Sequence, residues 1–268
     1  MERSKRPWRL AVRHFPDRAS LSFCIRDWLQ LYGKKSLQYR LDDMCGRFTL
    51  RSRDRIKLKG LVNSDLPFEA RYNIAPSQAI LTVADFGHGV ELSSLTWGLI
   101  PSWSIDGKGF INARCETLET KPSFSESFQR RRCLIPADGF FEWKRLGRVK
   151  QPSYFQLEDE SPFAFAGIWD QWRKGALSIA SFAIITTAAN DLVGALHDRM
   201  PAILQPESYD LWLNPSTDPV VLKKMLSPFP ASKMKSHPVG SAVNHPENDN
   251  KELIERVDCE VGTTRSLF

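Results

Sequence analysis

Cys133-Leu134-Ile135-Pro136-Ala137-Asp138-Gly139-Phe140-Phe141-Glu142-Trp143-Lys144 runs from an apolar block through a turn signal into an aromatic block. Residues 133–137 read as a short buried strand, Asp138-Gly139 as the turn that ends it, and 140–144 as the next strand. Successive side chains of a strand point to opposite faces. Phe141 and Trp143 therefore share one face, and Phe140, Glu142 and Lys144 the other. A carboxylate bracketed by three aromatics is expected in a partly dry environment that raises its pKa, which prepares it for acid/base work. The plainer alternative is a glutamate on an exposed strand edge.

Outward from this stretch the chain alternates short strands with turns. Upstream, 46–50 reads as a short strand and 52–61 as a charged helix-like segment. Residues 71–78 are turn-rich and feed a strand at 79–83, and 85–89 form a hairpin turn into a returning strand at 90–97. Trp97-Gly98-Leu99-Ile100-Pro101-Ser102-Trp103 reads as a rigid loop whose two tryptophans are either core residues or a platform on which bases stack. Residues 111–118 are an irregular start into a helix, 125–128 a further helical piece, and Arg130-Arg131-Arg132 a solvated basic face or a phosphate contact. Downstream, strands are expected at 153–157 and 163–172, and 182–187 is the strongest buried strand. His197 ends a short helical segment ahead of a strand limited by Pro201, a place where scaffold-mounted catalytic groups tend to sit, although a lone histidine is more often structural. Amphipathic helices at 210–214 and 219–226, a last strand at 239–244 and a polar C-terminal tail at 246–268 complete the reading. There are no internal repeats.

With 268 residues, 42% of them hydrophobic, the chain can bury a substantial core. It has no apolar run of membrane-spanning length and no secretory signal, so neither a membrane partner nor export is expected. Five cysteines, without a CxxC or a Cys/His pair at zinc spacing, argue against a disulfide framework and a structural metal. A reducing cytosol fits. The net charge of +6 is unevenly placed. Residues 1–43 hold ten Lys/Arg against five acids, so 27 of the 37 basic and 26 of the 31 acidic residues follow, and the remainder carries only +1. A basic pI is therefore no argument for nucleic-acid binding by the main domain, and individual arginines must carry it.

Met44-Cys45-Gly46-Arg47-Phe48-Thr49-Leu50 holds the other reactive group. If the chain starts, or is cut, at Met44, Cys45 offers a thiol beside a free α-amine. That 1,2-aminothiol can condense with an aldehyde to an imine and close through sulfur to a five-membered thiazolidine. The α-amine titrates near pH 8, so much of it is nucleophilic at neutral pH. The alternative is a small buried residue at the start of a strand.

Six motifs in order, Cys45-Gly-Arg-Phe, Arg71-Tyr-Asn-Ile-Ala-Pro, Trp97-Gly-Leu-Ile-Pro-Ser-Trp, Ile111-Asn-Ala-Arg-Cys-Glu-Thr, Arg132-Cys-Leu-Ile-Pro-Ala-Asp-Gly-Phe-Phe-Glu-Trp and Leu196-His-Asp-Arg-Met-Pro, closely resemble the SOS response-associated peptidase (SRAP) family over residues 44–245. The resemblance implies a single α+β domain around a β-barrel-like core of mainly antiparallel strands with peripheral helices. It implies a protein that shields abasic sites in single-stranded DNA through a thiazolidine crosslink in the DNA damage response, with a thiol autopeptidase and lyase-like activity. Carried over by motif, Cys45 resembles the crosslinking nucleophile, Asn112 the residue that orients cysteine and opened sugar, Glu142 the acid/base, and His197 the group assisting proton transfer and reversal. Arg47, Arg114 and Arg199 match phosphate-binding arginines, and Trp103 and Trp143 are stacking candidates. No cofactor or metal is implied. A monomer is expected, cytoplasmic and nucleoid-associated when bound to DNA. An abasic deoxyribose is partly a ring-opened aldehyde, and arginines hold its flanking phosphates without reading sequence.

The leader departs from the family, whose cysteine is residue 2. Residues 1–43 read as a stretch upstream of the true start, a propeptide, a basic arm or, more weakly, a transit peptide. Two rival functions also fit the residues: a cysteine peptidase acting on other proteins, and a non-catalytic nucleic-acid binding module.

Overall fold

A computed structural model describes residues 46–51, 69–147 and 149–258. The leader, Cys45, the helix-like segment read at 52–61 and residues 259–268 lie outside the described residues.

Five strands close on themselves. β3 (Ala79–Asp85) and β4 (Val90–Trp97) form an antiparallel hairpin, β3 pairs β6 (Arg132–Ala137), β6 pairs β9 (Phe163–Lys174), and β9 pairs β10 (Leu177–Ala188), all antiparallel. The ring closes where β10 runs parallel to β4, with Ser181 opposite Thr96 and Phe182 opposite Trp97. Closure removes the edges on which an open sheet would aggregate. The interior holds Trp97, Ile135, Phe165, Phe182 and Ile184, all essentially inaccessible. Each large side chain so buried contributes about 1.5–3 kcal/mol.

At Asp138 the chain leaves the barrel. β6 ends at Ala137, and β7 (Gly139–Leu146) belongs to a second, antiparallel sheet. That sheet also contains β1 (Phe48–Leu50), β2 (Arg71–Ile74), β8 (Val149–Leu157) and β13 (Met234–Pro238), in the order β13-β8-β7-β1-β2. The expected alternation holds here. Phe140 enters the main core beside Phe48, Phe155 and Phe165, whereas Phe141 packs with Tyr154, Val239, Val243 and Leu253, and Trp143 joins this smaller cluster. Gly139 is required at the corner, because a Cβ there would lie 2.0 Å from the Tyr154 hydroxyl.

Helices are few and short among the described residues: α1 (Ser125–Arg130), α2 (Asp191–Gly194), α3 (Tyr209–Leu213) and α4 (Pro219–Lys224). Four expectations need correction. Residues 111–118 do not begin a helix; Asn112–Arg114 is strand β5, and only Cys115–Thr117 forms one 3-10 turn. Pairing with β10 overrides the local preference. The last strand is β13 rather than 239–244, where Ser241–Asn244 is a 3-10 turn. The basic triplet is not a solvated face, because Arg132 lies in a buried strand and donates to the carbonyls of Phe128, Gln129, Trp212 and Asn214 at 2.6–2.7 Å. Arg131 pairs with Glu126 and Asp170. Finally, the described part of the segment read as a polar tail, residues 246–258, packs back onto the domain: Leu253 is buried and Val239 bridges Arg256.

Candidate functional site

The end of β10 positions most of the polar residues singled out from the sequence. β9 follows β10 only as far as Ile184, and β11 (Arg199–Pro201) then takes its place, with Thr187 opposite Met200 and Ala188 opposite Arg199. The chain continues into β12 (Ile203–Leu204), which pairs β9 beyond that point, with Ile203 opposite Phe165. β5 lies parallel to β10, with Ile184 opposite Asn112 and Thr186 opposite Arg114. Asn112 and Arg114 thus share a face of β5, opposite the fully buried Ala113.

Both polar atoms of the Asn112 amide are buried, and neither has a hydrogen-bond partner among the described residues. Native folds pair nearly all such groups, because an unpaired one costs about 1–3 kcal/mol. Arg199 is similar on one side. Its Nη1 and Nη2 fork the Glu116 carboxylate at 2.6 and 2.9 Å and Nη2 also donates to the Thr186 carbonyl at 2.7 Å, while the buried Nε has no acceptor among the described residues. Arg114, two residues before Glu116, is exposed.

His197 follows α2, whose cap is the Asn190 side chain accepting from the Val193 N–H at 3.0 Å. Its Nδ1 accepts the Arg199 backbone N–H at 3.1 Å, and Asp198 Oδ1 lies at the same distance from that nitrogen. Both cannot be hydrogen bonds to one neutral ring nitrogen. The backbone donor is fixed by β11, whereas Asp198 is 87% exposed, so we assign Nδ1 as acceptor and Nε2 as the atom carrying the proton of the neutral ring.

Glu142 sits in the second sheet on β7, opposite Ser153, and is only 2% exposed, which disposes of the exposed-edge alternative. Its neighbour Phe141 donates its N–H to the Arg47 carbonyl at 3.1 Å. Arg47 is itself buried. Its guanidinium donates to Asn73 Oδ1 at 2.9 Å and to the carbonyls of Val243 and Asn244 at 2.5 and 3.2 Å, and burial pushes its pKa down, opposed in part by Glu247. Asn73 adds bonds to the carbonyls of Val243, His245 and Asn248, and Asp249 accepts the N–H groups of Tyr72 and Asn73. Arg47 is therefore engaged in an internal clamp that fixes the segment 243–249 against β1 and β2. Trp143 joins it by donating Nε1 to Asn244 Oδ1 at 2.7 Å.

The two halves meet through Phe48. Its ring packs edge-on against Trp97 at 5.2 Å, and the Trp97 indole donates to the Ile111 carbonyl at 2.9 Å, next to Asn112. The tryptophans of the expected rigid loop have parted: Trp97 is core, whereas Trp103 is 61% exposed. The loop is held by Ile100 N–H to Ser181 Oγ, Ser102 N–H to Asp170 Oδ2 and Trp172 Nε1 to the Ser104 carbonyl, at 2.7–2.8 Å.

Sequence reasoning missed Glu116, Asn73 and Asp249. Glu116 and Asn73 lie inside the motifs above, but an acid among arginines and an amide in a turn carry no signal until their partners are known. The hydrogen bond from Arg199 lowers the Glu116 pKa from 4.5 to about 2. A depressed carboxylate contributes stability above its unfolded pKa and loses it as pH falls through the folded one. Acid unfolding of the parent and of Glu116→Gln is accordingly expected to differ at pH 5 and to converge between pH 4.5 and about 2. The difference is small, because Glu116 is 52% exposed and water screens the pair.

Among the described residues no cluster of His, Cys, Asp or Glu is arranged to hold a metal ion, and no helix is long and apolar enough to cross a membrane. The profile of the SOS response associated peptidase family matches residues 44–246. The chain is 45% identical over 222 residues to the abasic site processing protein YoqW of Bacillus subtilis (strain 168), covering 79% of this chain and 99% of that one. It is 32% identical over 224 residues to YedK of Escherichia coli (strain K12), an abasic site processing protein covered in full, with 80% of this chain aligned. Among solved structures, a protein from Bacteroides thetaiotaomicron superposes with a TM-score of 0.71 at 28% identity, over 80% of this chain and 100% of its own. A phage-related protein from Bordetella bronchiseptica gives 0.60 at 33% identity, over 73% of this chain and 94% of its own. On the strength of that profile and of identity along almost the whole length of these relatives, the chain belongs to the SOS response associated peptidase (SRAP) family.

Proposed function

We propose that this protein processes abasic sites in single-stranded DNA by capturing them on the amine and thiol of Cys45, once the residues before it are absent or removed. The open sugar aldehyde condenses with the α-amine, forming C=N and releasing water. The sulfur then adds to the imine carbon, forming C–S, and the thiol proton passes to nitrogen. Glu142, in its dry setting on β7, serves the proton transfers of condensation. Asn112 holds the sugar oxygen and the nucleophile, and His197 Nε2 serves proton transfer at the sugar hydroxyl and in reversal. Arg114 and Arg199 grip flanking phosphates, and Trp103 offers an exposed ring for stacking.

The observation that carries this reading is that, among the described residues, the buried Asn112 amide on β5 and the buried Arg199 Nε on β11 have no hydrogen-bond partner. An amide that both donates and accepts on one side of β10, and a cation short of an acceptor on the other, suit a ligand rich in hydroxyl and phosphate oxygens. The names of the relatives support the same substrate. The test pairs intact-mass measurement with a denaturing gel. Protein whose mass places Cys45 first is expected to shift an oligonucleotide with one abasic site and to leave an undamaged oligonucleotide unshifted. Capture by protein that still carries residues 1–44, or none by protein that begins at Cys45, would overturn it.

A further inference from the structure

Glu116 has no part in the capture chemistry, yet it occupies both terminal nitrogens of Arg199. Arg199 is only 11% exposed at its side chain, and it already has a rigid acceptor in the Thr186 carbonyl and a fixed backbone in β11. Orientation alone does not call for a carboxylate. Glu116 is half-exposed and forks both terminal nitrogens, so its charge stands between the guanidinium and water. Asp198, 87% exposed, places a second carboxylate one residue from Arg199. This stretch of the surface thus carries two carboxylates, Glu116 and Asp198, for two arginines, Arg114 and Arg199. A groove built for tight backbone binding shows the opposite, a surplus of cations whose counterions are released.

We infer that Glu116 is a specificity-determining residue that weakens non-covalent binding of undamaged single-stranded DNA, so that retention on DNA depends on the covalent step. The inference rests on the single-stranded DNA reading above. A phosphate reaching the Arg199 fork has to displace a carboxylate, exchanging one anion for another with little net gain. Undamaged strands therefore leave quickly, while an abasic strand is kept by its C–N and C–S bonds. Discrimination of this kind works by penalising the competitor rather than by improving the fit of the target.

The experiment measures equilibrium binding of an undamaged oligothymidylate against salt, for the parent, Glu116→Gln and Glu116→Asp. Glutamine keeps an acceptor for Arg199 but loses the charge. It is expected to bind about three- to tenfold more tightly at low salt, with the slope of log K against log salt steeper by about 0.7, the share of one single-strand phosphate contact. Glu116→Asp keeps the charge and is expected to keep the parent slope. Weaker or unchanged binding by Glu116→Gln, or a steeper slope for Glu116→Asp as well, would overturn the inference. The parent is assayed alongside for capture of abasic DNA. Failure there overturns the functional reading and this inference with it, whereas capture by the parent with no gain in Glu116→Gln overturns this inference alone.

Discussion

Cys45→Ser is expected to abolish stable capture of abasic single-stranded DNA and to leave only a capture that needs borohydride. Serine keeps the α-amine, whose pKa near 8 leaves a useful unprotonated fraction at neutral pH, so the imine still forms. A hydroxyl closes the ring far less effectively than sulfur, and the imine hydrolyses back unless hydride adds to its carbon. On a denaturing gel the parent gives a band without reductant, and Cys45→Ser falls to background until borohydride is present. Acetylation of the terminal amine removes both bands, since neither path can begin. An unreduced Cys45→Ser band as strong as the parent's would show that sulfur is dispensable, and the thiazolidine would have to be abandoned.

The strands of this protein were legible where side chains alternate or where an apolar run is long enough to be buried. The hairpin 79–97 was readable because Gly87 and Gly89 sit in the turn at positive φ, and the block 182–187 because it lies within β10 with every residue buried. Segments whose conformation comes from a distant partner were not legible. Asn112–Arg114 is a strand only because β10 offers it an edge, and Arg132 is buried because four carbonyls from two other segments converge on it. The site divides in the same way. Glu142 could be placed in a dry setting from its own neighbours, whereas Arg47 reads in sequence as one more phosphate ligand, and the structure commits its guanidinium to Asn73 and to carbonyls almost two hundred residues away. Motifs report which residues a family keeps. They do not report whether an arginine faces the substrate or its own backbone.

Asp138→Ala is expected to cost about 3–5 kcal/mol, the usual penalty for removing one partner of a buried charge pair, and the reason lies at the corner where the chain passes from barrel to second sheet. Asp138 is 1% exposed. Its Oδ1 accepts from Thr49 Oγ1 at 2.5 Å and faces Arg51 Nε at 3.1 Å, its Oδ2 accepts the Arg51 N–H at 2.7 Å, and its own N–H donates to the Thr49 carbonyl at 2.9 Å. Since the Thr49 proton goes to the carboxylate, Tyr154 must be the donor in its 2.8 Å contact with Thr49, and burial, the largest influence on that phenol, pushes its pKa up and keeps the proton in place. One carboxylate thus ties β1, which begins three residues after Cys45, to β7, which carries Glu142. In a domain of this size the loss corresponds to a fall in Tm of roughly 6–20 °C. Thr49→Val, which removes a single hydroxyl and leaves the Arg51 pair intact, is expected to cost only about 1–2 kcal/mol. Because the network holds the two strands of the site in register, Asp138→Ala is also expected to slow abasic-site capture at temperatures where it is still folded, with binding of undamaged strands unchanged. A melting temperature within a degree or two of the parent's, together with an unaltered capture rate, would mean that the corner is held by Phe48 and Phe140 packing alone.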